Sequence, residues 1–161
     1  MDTFLRRLAP VGALALMAFP VSAQDGADWN LLDNPRERTT VAFAEFDGGL
    51  VIASRCVGGL YEVAIGGLPQ APGSQAERPL AVAFGDEPLR ESRWIVANDR
   101  TTAASDSPAS LARRLREGGL LRIQVPGAAP GGGAVRYELE VPASSSAIDR
   151  TLSACGQATG A

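Results

Sequence analysis

Apolar and polar residues alternate with period two along much of this chain, the pattern of strands with one buried and one wet face. It is clearest from Ala134 to Val141, where Val135, Tyr137, Leu139 and Val141 alternate with Arg136, Glu138 and Glu140. A sheet with such strands is antiparallel and half solvated. Upstream, Thr39 to Phe46, Gly49 to Val57 and Leu60 to Ile65 read as three strands. Asp47-Gly48-Gly49 and Gly58-Gly59 join them as tight turns, because Asp and Gly tolerate positive φ. The result is an antiparallel meander. Pro79 to Phe84 and Leu89 to Val96 add two strands, Asn98 to Ser105 is ambiguous between a loop and a strand ending at Thr101-Thr102, and Leu120 to Val125 pairs with Ala134 to Val141.

Two segments change to helical period. Ser107 is placed as an N-cap before Pro108, and a helix runs to Glu117 with Leu111 and Leu115 inward and Arg113, Arg114 and Arg116 outward. Gly118-Gly119 stops it. Ser144 to Cys155 forms the last helix, with serines at its start and Gly156 at its end. The segments 66–78 and 126–133 are loops by composition. The fold class is mainly β: an antiparallel β-sandwich-like domain with two short helices.

The N-terminus predicts export. Arg6 and Arg7 precede an apolar run to Pro20, and Val21-Ser22-Ala23 offers an A-x-A-like site, so residues 1–23 form a signal peptide cleaved after Ala23. The run is well short of the roughly 20 residues that span a bilayer, so no membrane insertion is expected after cleavage. Residues 24–161 then form a single β-rich domain of 138 residues. In it, 24–38 is a polar lead-in segment whose Trp29 plugs an edge of the core. The mature chain carries 13 arginines against 17 carboxylates, a net charge of −4. That balance disfavours nucleic acid and anionic membrane as partners.

Export also sets the reading of the only two cysteines. In an oxidising compartment Cys56 and Cys155 form one disulfide, whereas a reducing one would leave two free thiols. Side-chain direction favours the bond. Leu50, Ile52, Ser54 and Cys56 share one strand face, and Ile148, Leu152 and Cys155 share one helical stripe.

Catalytic chemistry is sparse. The chain has no histidine and no lysine, which removes Ser-His-Asp triads, histidine metal sites, Ser-Lys dyads and Schiff bases. What remains is a carboxylate pair drawn from Glu45, Asp47, Glu62, Asp86, Glu87, Glu91 and Asp99, acids that otherwise form a solvated rim. No cofactor is expected. Gly131-Gly132-Gly133 lacks the strand–helix context and lysine of a phosphate loop. The Arg113, Arg114 and Arg116 face is either solvated or a grip for an anionic partner. Trp94 points inward by parity with Val96, and Arg55 either pairs with a carboxylate on a neighbouring strand or joins a binding face.

The order of features resembles the VasI/TagO-type periplasmic accessory proteins associated with type VI secretion. The residues that carry it are Trp29, Leu50 to Cys56 (L-V-I-A-S-R-C), Trp94, Leu111 to Leu115, Tyr137 to Val141 and Ala154-Cys155. The segment from Leu80 to Phe84 departs by lacking an arginine, and Pro142 and Ser144 stand where that family has glycine. The resemblance implies a β-sandwich accessory module rather than an enzyme, and assigns no binding residue. The expected function is a non-catalytic periplasmic binding or accessory module whose partner is an envelope protein or cell-wall component. An inhibitor of a secreted hydrolase (a lysozyme or protease), presenting loop 66–78 or 126–133, is the alternative, with a carboxylate-dependent wall-degrading enzyme third.

Overall fold

A computed structural model describes residues 29–143 and 146–159. The predicted signal peptide lies outside the described residues, as do Ser144 and Ser145 of the predicted serine cap. Nine strands form one open antiparallel sheet: β1 (Asn30–Asn34), β2 (Thr39–Phe46), β3 (Leu50–Val57), β4 (Leu60–Gly66), β5 (Glu77–Phe84), β6 (Arg90–Val96), β7 (Ala103–Ser105), β8 (Gly119–Val125) and β9 (Val135–Val141). Helices α1 (Pro108–Glu117) and α2 (Ser146–Ala154) complete it. The order across the sheet is β1-β2-β3-β4-β7-β6-β5-β8-β9. The mainly β, antiparallel, sandwich-like architecture with two helices and one disulfide is therefore the one the alternation predicts.

The meander β2-β3-β4 has the expected bounds because glycine pairs punctuate it. Gly48, Gly49, Gly58 and Gly59 all adopt positive φ. Alternation then sets the register: Ala42, Ala44, Leu50, Ile52, Cys56, Val63 and Ile65 are buried on one face. Of these, Ala42, Leu50, Ile52, Val63 and Ile65 share a core with Leu80, Trp94, Leu121, Ile123, Leu139 and Val141 from the other half of the sheet. Both helices close that core. Leu115 of α1 and Ile148 and Leu152 of α2 are fully buried.

Cys56 and Cys155 are bonded, with Cα atoms 5.6 Å apart. Helix α2 ends one residue before Cys155, which is half-buried rather than part of the stripe of Ile148 and Leu152. The helix closes as a Schellman motif: Gly156 sits at φ 65°, its N–H donates to the Ser153 carbonyl, and that of Gln157 donates to the Leu152 carbonyl. Beside the disulfide, the Ser54 hydroxyl lies 2.7 Å from Tyr61 Oη and 2.6 Å from Thr151 Oγ1. Thr151 Oγ1 also donates to the Ile148 carbonyl at 2.8 Å. Ser54 and Thr151 are fully buried, and this hydroxyl chain satisfies polar groups that would otherwise be costly to bury. Burial pushes the Tyr61 hydroxyl above its ordinary pKa, so it stays a proton donor.

Three expectations need correction. The lead-in contains a strand: β1 pairs with β2 from Asn30↔Phe43 to Asn34↔Thr39. All five of its residues are exposed, so no alternation marked it. Trp29 does pack against the core edge. In the ambiguous segment, Thr101-Thr102 does not end a strand. Asp99 accepts both backbone N–H groups, at 3.0 and 2.9 Å, and the Thr102 hydroxyl at 2.7 Å, folding a turn before the short β7. The loop expected to reach residue 78 yields two residues to β5, and Arg78 turns inward, buried opposite Trp94. Its Nη1 donates to the Pro69 carbonyl at 2.6 Å, and burial lowers its pKa.

Glycine is sterically required where α1 hands over to β8. At Gly118 φ is 71°, and a Cβ would stand 2.4 Å from Cα of Ala143. The α1–β8 junction is therefore packed against the segment after β9 without room for a side chain.

Candidate functional site

The principal cleft opens between the β5-β6-β7 part of the sheet and α1, with a volume of about 510 Å³. Four separate elements build it. Alternation on β5 brings Val82 and Phe84 to its wall, and the same alternation on β6 brings Arg90, Ser92 and Trp94. The end of β7 and its connection to α1 add Ser105, Asp106 and Ser107, and the first turns of α1 add Ser110, Leu111 and Arg114. Trp94 is only 2% exposed and acts as floor rather than wall. Its Nε1–H donates to Ser92 Oγ at 3.0 Å, which holds that hydroxyl in place.

Helix α1 begins at Pro108 as the N1 residue, but the Ser107 side chain makes no capping bond. Instead the Ser107 N–H donates to Ser105 Oγ at 3.1 Å. The first amides of a helix have no intrahelical acceptor and carry a partial positive charge. Those of Ala109 and Ser110 belong to the cleft end of the helix. A second cleft of about 460 Å³, lined by Gly59, Leu60, Tyr61 and Gln157, shares Ser107 and Ser110 with the first. The two therefore meet at the first turn of α1 and flank it on both sides.

The arginine face of α1 is neither a solvated fringe nor a free anion grip. Arg114 Nη2 donates to Glu87 Oε1 at 2.7 Å, its Nε lies 3.7 Å from Glu117 Oε2, and its guanidinium stands 4.8 Å over the Phe84 ring. Arg116 pairs with Asp149 at 2.9 Å and donates to the Thr159 carbonyl. Arg113 donates to the Ala158 carbonyl at 3.4 Å. Arg116 and Arg113 thus tie α1 to α2 and to the segment after it, while Arg114 ties it to the end of β5 and the β5–β6 connection. Around the main cleft, Arg90 is left as the cation with no ion-pair partner among the described residues.

The sequence-predicted acids do not converge. Of the seven, only Glu87 lines the main cleft, beside Asp106, which composition did not single out. The hydrogen bond from Arg114 holds the Glu87 carboxyl below the ordinary glutamate range. A general acid in glycoside cleavage needs the opposite, a raised pKa. Glu62 pairs with Arg55 across β3-β4 at 2.6 Å, which is the cross-strand partner expected for that arginine. Asp99 is held below the usual range by its Thr102 and Thr101 hydrogen bonds. Glu45, Asp47, Asp86 and Glu91 are exposed, and among the described residues no group of three or more metal-ligating side chains occurs.

The Glu87 arrangement has a measurable pH signature. A depressed folded pKa means that its contribution is present above the unfolded value of about 4.5 and is lost as pH falls through the folded value. NMR titration of the Glu87 side-chain carboxyl should give a midpoint below that of ordinary glutamate, and Arg114→Gln should move it upward. An unshifted midpoint in the native protein would disprove the pairing.

Of the loops considered for presentation, 66–78 is anchored at its base. Leu68 N–H donates to the Thr101 carbonyl at 2.9 Å and Ala71 N–H to the Arg100 carbonyl at 2.8 Å, and both residues are buried. Arg100 returns a bond to the Ala71 carbonyl. Its tip, 72–76, is exposed throughout. The glycine run of the other loop forms a 3₁₀ turn at Pro130–Gly132.

No family model matches this chain, and no curated protein or solved structure is detectably similar to it. The Cys56–Cys155 bond is consistent with an oxidising, extracytoplasmic compartment. Among the described residues no helix is long and apolar enough to cross a membrane.

Proposed function

We propose that this chain is a non-catalytic binding or accessory module of the bacterial periplasm, exported by its N-terminal signal. Its main cleft receives a polar segment of an envelope protein or cell-wall component. The observation that carries this reading is the character of that cleft. It is large enough for a small ligand or a few residues of a partner, and it is lined by four serines and an unpaired Arg90. Of the two acids that line it, Glu87 and Asp106, Glu87 is already committed to Arg114. Such a lining supplies hydrogen bonds and orientation. Association with type VI secretion rests on the family resemblance alone.

The test is affinity capture from oxidised periplasm with the native chain and with Ser110→Arg, which fills the meeting point of the two clefts. Specific recovery of an envelope or wall component by the native chain, lost with Ser110→Arg, is the expected result. Equal recovery by both would place binding elsewhere, and no specific partner at all would defeat the proposal. The anchored loop 66–78 supports a second reading, inhibition of a secreted hydrolase, since a braced base with an exposed tip suits a blocking loop. Capture of a hydrolase whose activity falls on titration with the chain would favour it.

A further inference from the structure

Two arginines and two carboxylates line the main cleft, and they are not engaged alike. Glu87 and Arg114 neutralise each other at 2.7 Å. Arg90 and Asp106 are exposed and have no ion-pair partner among the described residues, neither each other nor any other group. Arg90 acts on Glu87 only through space, lowering its pKa without a bond. Asp106 stands two residues before Pro108, yet none of the hydrogen bonds at the start of α1 involves its carboxylate. Two serines are open as well. Ser92 accepts from the Trp94 indole and Ser105 from the Ser107 N–H, so each keeps its own proton to donate.

The two open charges mark opposite ends of the cleft. Arg90 begins β6, in register with Val82 of β5 and next to the β5–β6 connection that carries Glu87. Asp106 follows Ser105, which is in register with Trp94, four residues further along β6. At ~3.3 Å per residue the two ends lie roughly 13 Å apart. Helix α1 runs the same way, from Ser107 and Ser110 beside Asp106 to Arg114 on Glu87. Ser92 lies midway along the β6 wall. A single amino acid carries both of its charges on one carbon and cannot reach both ends. An extended peptide advances ~3.3–3.6 Å per residue, and the Arg90 side chain closes part of the gap, so two or three residues fill it. A lining balanced in charge favours neither a polyanion nor a polycation, whereas a ligand with one charge of each sign satisfies both ends.

We infer that the main cleft binds a short peptide by its two free ends, the carboxylate on Arg90, the ammonium on Asp106 and a backbone carbonyl on Ser92. This rests on the reading of that cleft as the binding surface and narrows its ligand to one class. The test is isothermal titration calorimetry of the purified, disulfide-bonded chain with trialanine, N-acetyl-trialanine and trialanine amide. Trialanine should bind, and blocking either end should weaken it at least ~10-fold, the loss of one charge-assisted contact. Arg90→Gln should bind the acid and the amide alike while still preferring a free amine, and Asp106→Asn should do the reverse. Both positions are exposed, so circular dichroism should show an intact fold. The inference is overturned if trialanine does not bind at millimolar concentration or if the blocked forms bind as well as the free peptide. It is equally overturned if either variant weakens all three peptides to the same degree, as a merely structural role would. Affinity capture that Ser110→Arg abolishes, without any preference for free ends, would keep the cleft as the binding surface and strike this ligand class alone.

Discussion

Cys56→Ser/Cys155→Ser is expected to lower the stability of the fold by about 2–5 kcal/mol. The two residues are 99 positions apart, and closing a loop of that size removes enough denatured-state freedom to stabilise by about 4.7 kcal/mol in the chain-entropy model. Against a typical total of roughly 5–15 kcal/mol, the loss is a large fraction. It should also be uneven. A nine-residue helix such as α2 does not hold its shape in isolation. Without the bond it depends on burial of Ile148 and Leu152 and on the Ser54–Thr151 contact. Urea denaturation should therefore show a lower midpoint, and amide exchange should show lost protection concentrated in α2 and the end of β3. An unchanged midpoint would mean that α2 is held by packing alone.

What was legible in the sequence follows from how local each signal is. The meander could be read to within one residue because paired glycines mark its turns and each strand alternates against its neighbour. Strand β9 and the disulfide were legible for the same reason: a two-residue period or a unique pair leaves few alternatives. Strand β1 was not, because an edge strand with both faces in water needs no apolar pattern. Arg78 misled because a charged residue after a Pro/Gly loop reads as solvated, whereas its guanidinium is satisfied by the Pro69 carbonyl, nine residues back. The arginines of α1 misled in the same way. Their partners, Glu87, Asp149 and the segment after α2, lie 27 to 45 positions away. The cleft itself had no sequence signature, since it forms only where the β5–β6 hairpin meets the β7–α1 segment and its serines carry no motif.

Trp94→Ala is the second change of large expected effect, costing about 3–5 kcal/mol, the range for deleting a buried aromatic side chain. Trp94 is the largest fully buried side chain and joins the two halves of the structure. On β6 it is in register with Arg78 of β5 and with Ser105 of β7. Removing the indole opens a void beneath the main cleft, strips Ser92 of its donor and leaves buried Arg78 facing empty space. Water entering from the cleft can solvate these polar groups, which argues for the lower part of that range. Trp94→Phe separates packing from polarity: it keeps most of the ring volume but not the N–H, so it should cost roughly 1–2 kcal/mol, the hydrogen bond plus a small cavity. Chemical denaturation followed by circular dichroism measures both, since either variant leaves Trp29 as the sole tryptophan and makes fluorescence a reporter of the β1 edge alone. If Trp94→Ala and Trp94→Phe unfold at the same midpoint, the indole is not the core element its burial indicates. If Trp94→Phe retains the fold yet loses captured partner, the Ser92 hydroxyl that the indole orients belongs to the binding surface, which ties the floor of the core to the proposed function of the cleft above it.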